Sequence, residues 1–414
     1  MCLLADRVCP HFTSVERAEP MVSISRFRMC SFGRYIVAGV LALMSACCLP
    51  AAEPVLEKVD LFEARTGGYH TCRIPGVVVT KEGTILAYCE ARKGGTGDWQ
   101  DIDVLLRRSA DGGKTWSEPT VMADAGPLPA HNATGIVDGE GTVHFLYCVN
   151  YARAFYRKST DDGLTFSEPV EITEVFESFK ERFLWNVIAT GPGHGIQLRK
   201  GRLIVPVWIS NGGKRHRPSA CSLIYSDDLG KTWEAGDLVP FDYVNMSETV
   251  AVELEDGSTM LNIRNEDRDH RRAISISKDG AHRWSAPRLD PELKEPVCMA
   301  NIIRYNFKTE SQPGRILFSN PDNLAYSGKV GASYDKNRDR VNLTIKLSRD
   351  DGKTWPVSRV LEPGIAAYSD LAIAKDGSVL CLYERAGVGE SMWDTKYITL
   401  ARFNLEWVCG GEGE

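Results

Sequence analysis

One octapeptide recurs five times along this chain and narrows what the chain can fold into. The copies are Ser109–Trp116 (SADGGKTW), Ser159–Phe166 (STDDGLTF), Ser226–Trp233 (SDDLGKTW), Ser277–Trp284 (SKDGAHRW) and Ser348–Trp355 (SRDDGKTW). They share the pattern S-x-D-x-G-x-T-W/F at intervals of roughly 50 to 70 residues, a spacing at which each repeat is one supersecondary unit of a larger array. The pattern suits a hairpin corner. Ser and Asp side chains hydrogen-bond backbone amides in the turn, and Gly supplies a positive φ. The terminal aromatic ring buries between strands. The fourth copy is degenerate, with Ala281 in the glycine position and Arg283 in the threonine position.

Alternating runs flank the corners, such as DIDVLLRRS before the first and VNLTIKLS before the fifth, and read as strands. No long stretch of helical periodicity interrupts them. Short strands and regular corners predict an all-β chain, a six-bladed β-propeller at roughly 60 residues per four-stranded blade. No Pro/Ser-rich linker divides residues 53–414, so they read as one domain. The corner itself carries no chemistry and supports only the fold.

Composition excludes several function classes. With 43% hydrophobic and 25% charged residues among 414, the chain is neither disordered nor collagenous. A net charge of -6 makes it a poor binder of nucleic acid or anionic lipid. Any positive charge that meets an anionic substrate has to be local.

Residues 1–52 differ from the rest. The uncharged run Tyr35–Leu49 follows Arg26, Arg28 and Arg34 and precedes Ala51 and Ala52. A basic region, a short apolar region and small residues read as a secretory signal. The run is shorter than the about 20 residues of a membrane span. Translation starting at Met21 or Met29 would give the signal a more usual length. Cleavage after Ala51 or Ala52 makes a secreted or periplasmic protein, and MSAC ending at Cys47 offers a lipid-anchored alternative. Seven cysteines follow this segment with no metal-site spacing, mostly in apolar runs, and read as buried small hydrophobes.

Several separate motifs carry a more specific signal. CRIP contains Arg73, and LAYCEAR contains Arg92. The loop KGGTGDWQDID contains Asp98, with Asp101 as its nearest rival. SETVAVELEDGSTMLNIRNEDRDHRR contains Glu248 and Arg264. NRDRVNLTIKLS contains Arg340, with Arg338 as the alternative. AAYSDL contains Tyr368, and LYER contains Glu384.

In these motifs and their order the chain resembles the sialidase (neuraminidase) family, of the bacterial exo-α-sialidase type, whose Asp box or BNR repeat the octapeptide is. The resemblance runs from about Thr71 to Glu384. Cys72 is a small departure, since the family usually has an aromatic residue before that arginine. The resemblance implies that Arg73, Arg264 and Arg340 form an arginine triad for the substrate carboxylate, and that Arg92 helps hold the sugar ring. It implies Tyr368 as nucleophile, Glu248 as its carboxylate partner, Asp98 as general acid/base and Glu384 as the brace of Arg73.

The chemistry needs these residue types. Sialic acid bears a carboxylate on its anomeric carbon, which guanidinium groups grip by charge-assisted, partly bidentate bonds. That carboxylate would repel an Asp or Glu nucleophile, whereas a neutral Tyr escapes the repulsion, an exception the sialidases make among glycosidases. A phenol with a pKa of about 10 needs a base. The expected activity is retaining hydrolysis of terminal sialic acid from glycoproteins, glycolipids and oligosaccharides, by a monomer, without metal or cofactor. An intramolecular trans-sialidase would use the same site, and a non-catalytic glycan-binding Asp-box propeller is the alternative from another class.

Four features read differently. GPGHGIQL, Gly191–Leu198, is expected as a glycine-rich loop near the cleft rim, with His194 structural. Trp99 reads equally as a sugar contact or as packing. NEDRDHRR, Asn265–Arg272, offers a substrate rim but reads better as a solvated charged turn.

Overall fold

The computed structural model describes residues 53–333 and 335–410. The expected signal segment, residues 1–52, and the lipid-anchoring alternative at Cys47 lie outside the described residues. The described chain is almost entirely β, with one short α-helix, Leu405–Val408, capped by the Asn404 side chain.

The strands form antiparallel meanders in chain order. The first sheet holds Thr71–Val79, Ile85–Arg92, Ile102–Ser109 and Thr120–Ala123. The second holds Ala130–Val137, Val143–Val149, Arg153–Ser159 and Val170–Glu171, with Gly193–His194 added in parallel to its first strand. The third is built on Val187–Thr190, Leu203–Ser210 and Ser219–Ser226. The fourth holds Thr249–Glu253, Thr259–Ile263, Arg271–Ser277 and Arg288–Lys294.

The fifth sheet has seven strands and two halves. Its longest strand, Val357–Ile373, pairs through its first half with Val341–Ser348 and through its second half with Val379–Gly387. The earliest strand of the described chain, Leu56–Glu63, completes this sheet by pairing antiparallel with the last, Thr395–Phe403.

Apolar clusters lie between successive sheets. Val78, Leu86 and Tyr88 of the first pack on Val143, Phe145 and Tyr147 of the second. Ile398, Leu400, Leu380 and Leu382 of the last strands pack on Val77, Ile85 and Cys89 of the first sheet. Six of the seven cysteines are buried in such surroundings.

The octapeptides make the corners their composition implies. In the first, Ser109 Oγ accepts from Gly113 N at 2.8 Å, Asp111 Oδ1 accepts from Thr115 N at 3.0 Å, and Thr115 Oγ1 donates to Asp111 Oδ2 at 2.6 Å. The same net recurs around Asp161, Asp228 and Asp350. At Gly230, φ is +78° and an added Cβ would meet Tyr156 Oη at 2.5 Å, so both backbone and space demand glycine. The fourth copy keeps its corner by other means. Its left-handed glycine is Gly280, one place earlier, and the Arg283 guanidinium bonds Asp279 Oδ2 at 2.9 Å where the others use a threonine hydroxyl.

Candidate active site

A cleft of about 320 Å³ is lined by residues of all five sheets and their loops. Of the sequence-predicted residues, Arg73, Arg92, Asp98, Glu248, Arg264, Arg340 and Tyr368 line it. Glu384 lies directly beneath, 1% exposed.

β-Bulges aim several of these side chains. The first sheet shifts register between Arg73 and Gly76, the second between His131 and Thr134, and the fifth between Ala366 and Ser369. Each bulge falls on a strand that reaches the cleft, and each re-aims a residue, Arg73, Asn132 and Tyr368 respectively. Ile74 and Asn132 carry positive φ values of 57° and 53°, a strain that concentrates at functional sites.

Tyr368 is 5% exposed, and its hydroxyl lies 2.6 and 2.9 Å from the two oxygens of Glu248. Arg264 Nη1 reaches the same hydroxyl at 2.7 Å and also donates to Glu248. The guanidiniums of Arg73 and Arg340 stand 5.4 and 5.2 Å from the centre of the Tyr368 ring. Burial first, and the Glu248 charge next to it, hold the phenol well above its usual pKa, although Arg264 and Arg340 pull the other way. Tyr368 is therefore a neutral phenol with a carboxylate in bonding contact.

Glu384 organises the floor. It accepts from Arg73 Nε at 3.1 Å, Arg73 Nη2 at 3.2 Å, Ile74 N at 3.0 Å and Tyr368 N at 3.3 Å. One buried carboxylate thus orients both Arg73 and the tyrosine backbone. Arg340 is 2% exposed and donates Nη2 to Val297 O at 2.8 Å. Its buried Nε and Nη1, and Nε of Arg264, have no partner among the described residues. Unpaired buried guanidinium nitrogens beside a cleft favour an anionic guest. Of the two candidates in this segment, Arg340 lines the cleft, whereas Arg338 bonds Pro296 O and Asn337 O and does not line it.

Arg92 is buried and gripped from two sides. Its Nη2 bonds Glu90 at 2.7 Å and its Nη1 bonds Asp98 at 2.9 Å. Glu90 in turn accepts from Asn132 N at 2.9 Å. Asp98 is half-buried on its loop. Burial opposes its ionisation, but Arg92 and then Arg73 outweigh this and hold the carboxyl down at about 2. Its rival Asp101 is tied to Lys93 at 2.9 Å and does not line the cleft.

Two sequence expectations are corrected, and one left open at Trp99 is decided for packing. Gly191–Leu198 is not at the cleft rim: His194, Gly195, Ile196 and Gln197 line a separate cavity with Val77, Val252 and Leu371. His194 is structural there, bonding Asp370 at 2.7 Å. Trp99 packs on Tyr151 and His216, at 4.6 and 5.4 Å between ring centres, and does not line the cleft. Asn265–Arg272 is not one solvated turn. Glu266 lines the cleft, and Arg272 is fully buried, bonding Glu295 at 2.5 Å.

Sequence reasoning missed Tyr151, Trp208, His216 and Trp393, all lining the cleft. Trp393 stacks 4.5 Å from the Arg340 guanidinium. No local pattern marks these residues, because an aromatic side chain on a strand or in a loop looks the same in sequence whether it faces a core or a cleft.

The chain matches the family described as BNR repeat-like domain over residues 83–381. It is 33% identical to a sialidase of Micromonospora viridifaciens, over 89% of this chain and 57% of that protein. It is 32% identical to a sialidase of Bacteroides fragilis, over 75% of this chain and 59% of that protein. The chain thus spans less than two thirds of the length of these curated relatives. Among solved structures, the Hadza microbial sialidase Hz136 superimposes with a TM-score of 0.70 at 27% identity, covering 85% of this chain and 69% of that one. The corners, the sheet order and the match over most of the chain agree: this protein belongs to the BNR repeat-like domain family.

Proposed function

We propose that the chain is a retaining exo-α-sialidase that removes terminal sialic acid from glycoproteins, glycolipids and oligosaccharides through a covalent tyrosyl intermediate. The observation that carries this reading is the Tyr368 hydroxyl bonded to Glu248 and Arg264 beneath three arginines.

The substrate carboxylate binds Arg73, Arg264 and Arg340, whose unpaired nitrogens gain charge-assisted partners. The Tyr368 oxygen attacks the anomeric carbon as its proton passes to Glu248, and Arg264 Nη1 stabilises the developing phenolate charge. The bond to the leaving oxygen breaks as Asp98 donates a proton to it. Asp98 then takes a proton from water, which attacks from the face the leaving group vacated and displaces Tyr368 on the opposite face, and Glu248 returns the proton to the phenol. Two displacements leave the anomeric configuration retained.

Against burial, Arg92 and Arg73 hold Asp98 ionised, so it has to gain a proton on substrate binding. The substrate carboxylate cancels the charge of Arg73 and displaces water, and both effects raise the Asp98 pKa.

Residues 53–414 are read as one catalytic domain with six blades. The two halves of the seven-stranded sheet, the pairing of the earliest described strand with the last, and the apolar cluster joining last sheet to first support a closed ring. A secreted or periplasmic site of action fits the N-terminal sequence. Among the described residues no helix is long and apolar enough to cross a membrane.

An NMR time course with α2,3- and α2,6-sialyllactose tests the function. Early release of the α-anomer of free sialic acid supports it. Anhydro-sugar would reassign the reaction to intramolecular transfer, and no turnover by folded protein would leave a glycan-binding propeller.

A further inference from the structure

Three loops beside the mouth of the cleft carry side chains that the proposed chemistry does not use. Strand Val187–Thr190 starts opposite Ser210, where Leu203–Ser210 ends, and Thr249–Glu253 follows directly on Glu248. Residues 182–186, the hairpin loop 211–218 and residues 241–247 therefore lie at the cleft end of their strands. The second and third loops send His216, Arg217, Asn245 and Ser247 into the cleft. The first is tied to the second, since Asn186 Nδ2 donates to Asn211 O at 2.9 Å and Gly213 N donates to Asn186 Oδ1 at 3.2 Å.

The outer faces of these loops are apolar. Among the described residues no large apolar side chain is more exposed than Leu184, at 75%, and Phe241 and Val244 are about half exposed. The loops are fixed in place. The Phe183 ring packs 5.9 Å from that of Phe241, Trp185 Nε1 donates to Phe176 O at 2.7 Å, and Glu266 N donates to Val244 O at 2.8 Å. The Phe183 contact sets Leu184 beside the loop of Phe241 and Val244. Single exposed apolar residues are ordinary, whereas a cluster marks an interaction site.

Charges of both signs border the cluster. Arg182, Lys214 and Arg215 are exposed and form no ion pair among the described residues, whereas Arg217 is paired with Glu266. Glu181 and Asp242 are exposed in the same region. This arrangement matches the boundary of a bilayer. Apolar side chains enter the acyl region, and cations and carboxylates meet the phosphate and ammonium of zwitterionic headgroups. A water-soluble glycan offers nothing apolar to Leu184 or Phe241. The net charge of -6 disfavours a strongly anionic surface.

We propose that Leu184, Phe241 and Val244 form a docking face for a zwitterionic lipid surface, which brings membrane-held glycolipids to the cleft. The docking face rests on the loops alone, and glycolipid as the favoured substrate rests on the sialidase reading.

The test compares wild type with a Leu184→Ser, Phe241→Ser double variant. Both carry the same N-terminus, so binding through residues 1–52 cancels, and thermal melts check that the variant folds. Wild type should cosediment with phosphatidylcholine vesicles, and the variant should bind about tenfold less or weaker, since two large apolar side chains no longer leave water. On a monosialylated glycolipid held in those vesicles the variant's kcat/KM should fall about tenfold, while on sialyllactose it stays within about twofold. Wild type that ignores the vesicles, a variant that binds them equally, or an equal loss on both substrates overturns the docking face. A dimer in sedimentation velocity that the variant abolishes also overturns it and gives the patch to a second copy of the chain. Vesicle binding that the variant loses, without turnover of either substrate, keeps the docking face and sinks the sialidase reading.

Discussion

The Tyr368 hydroxyl lies 2.6 Å from Glu248 Oε1, although the two residues are 120 positions apart in the chain. The contact joins a phenol that burial keeps neutral to a carboxylate that can take its proton. Tyr368→Phe keeps the ring and its packing but removes the attacking oxygen. Its kcat on sialyllactose is expected to fall by at least about 10³-fold, with little change in melting temperature. Glu248→Gln keeps the shape and loses the base, with an expected loss of about 10²–10⁴-fold. Steady-state kinetics checks both, and a Tyr368→Phe enzyme within tenfold of wild type would rule out the tyrosyl intermediate.

As the proposed general acid, Asp98 is expected to set the pH dependence. A general acid works protonated, so the rate falls as pH rises through its pKa in the complex. In the free cleft Arg92 and Arg73, acting against burial, hold it at about 2. Bound substrate raises it, so the alkaline limb of kcat should lie well above the free-enzyme titration. Carboxyl ¹³C NMR of the free protein, set beside the pH profile of kcat, measures the two values. Asp98→Asn should cost about 10²–10⁴-fold with sialyllactose and much less with an activated phenol as leaving group.

Arg340 and Arg338 can be told apart by one substitution each. Arg340 has unpaired buried nitrogens beside the cleft, and Arg338 does not line it. Arg340→Lys should lower kcat/KM by about 10- to 100-fold, since charged hydrogen bonds contribute about 1.5–3 kcal/mol and lysine cannot reproduce the fork. Arg338→Lys should change it less than about twofold, as surface substitutions usually do. A reversed order would move the triad assignment to Arg338.

Glu384 is a structural keystone as well as a brace. Glu384→Ala strands the Arg73 guanidinium, which is 6% exposed, without its counter-charge. Breaking such a buried pair costs about 3–5 kcal/mol. Urea unfolding should report a loss of that order, with activity falling alongside. A variant as stable as wild type would show that Arg73 finds another partner.

The octapeptide corners predict acid sensitivity. Thr165 hydrogen bonds hold Asp161 down at about 2, and those of Thr232, against slight burial, do the same for Asp228. Unfolded Asp titrates near 3.9. The folded pKa is the lower one, so this stability is full above about pH 4 and fades as pH falls toward 2. A Thr165→Val, Thr232→Val double variant should be less stable than wild type at pH 7, with a gap that narrows below pH 4. Urea midpoints across that range measure the gap, and a constant gap would detach the corners from acid stability.

Much of this was legible in the sequence for a physical reason. The corner Ser109–Trp116 is closed by bonds that span at most four residues, so its Ser, Asp, Gly and Thr are readable in a short window. Arg73, Glu248, Arg264 and Tyr368 were legible because each sits in its own motif. The degenerate corner was read as such, but its repair by Gly280 and Arg283 depends on where the chain bends.

Sequence alone determined the repeating corner, the all-β character and the residue types a carboxylate-bearing sugar requires. Tertiary structure decided which distant groups meet. It set Glu384 under Arg73, 311 residues away, separated Arg340 from Arg338 and Asp98 from Asp101, buried Arg272 and moved Gly191–Leu198 away from the cleft. It alone put Trp208, His216 and Trp393 on the cleft wall. These outcomes turn on bulge positions and sheet packing, interactions between residues far apart in the chain, which no local pattern of side chains encodes.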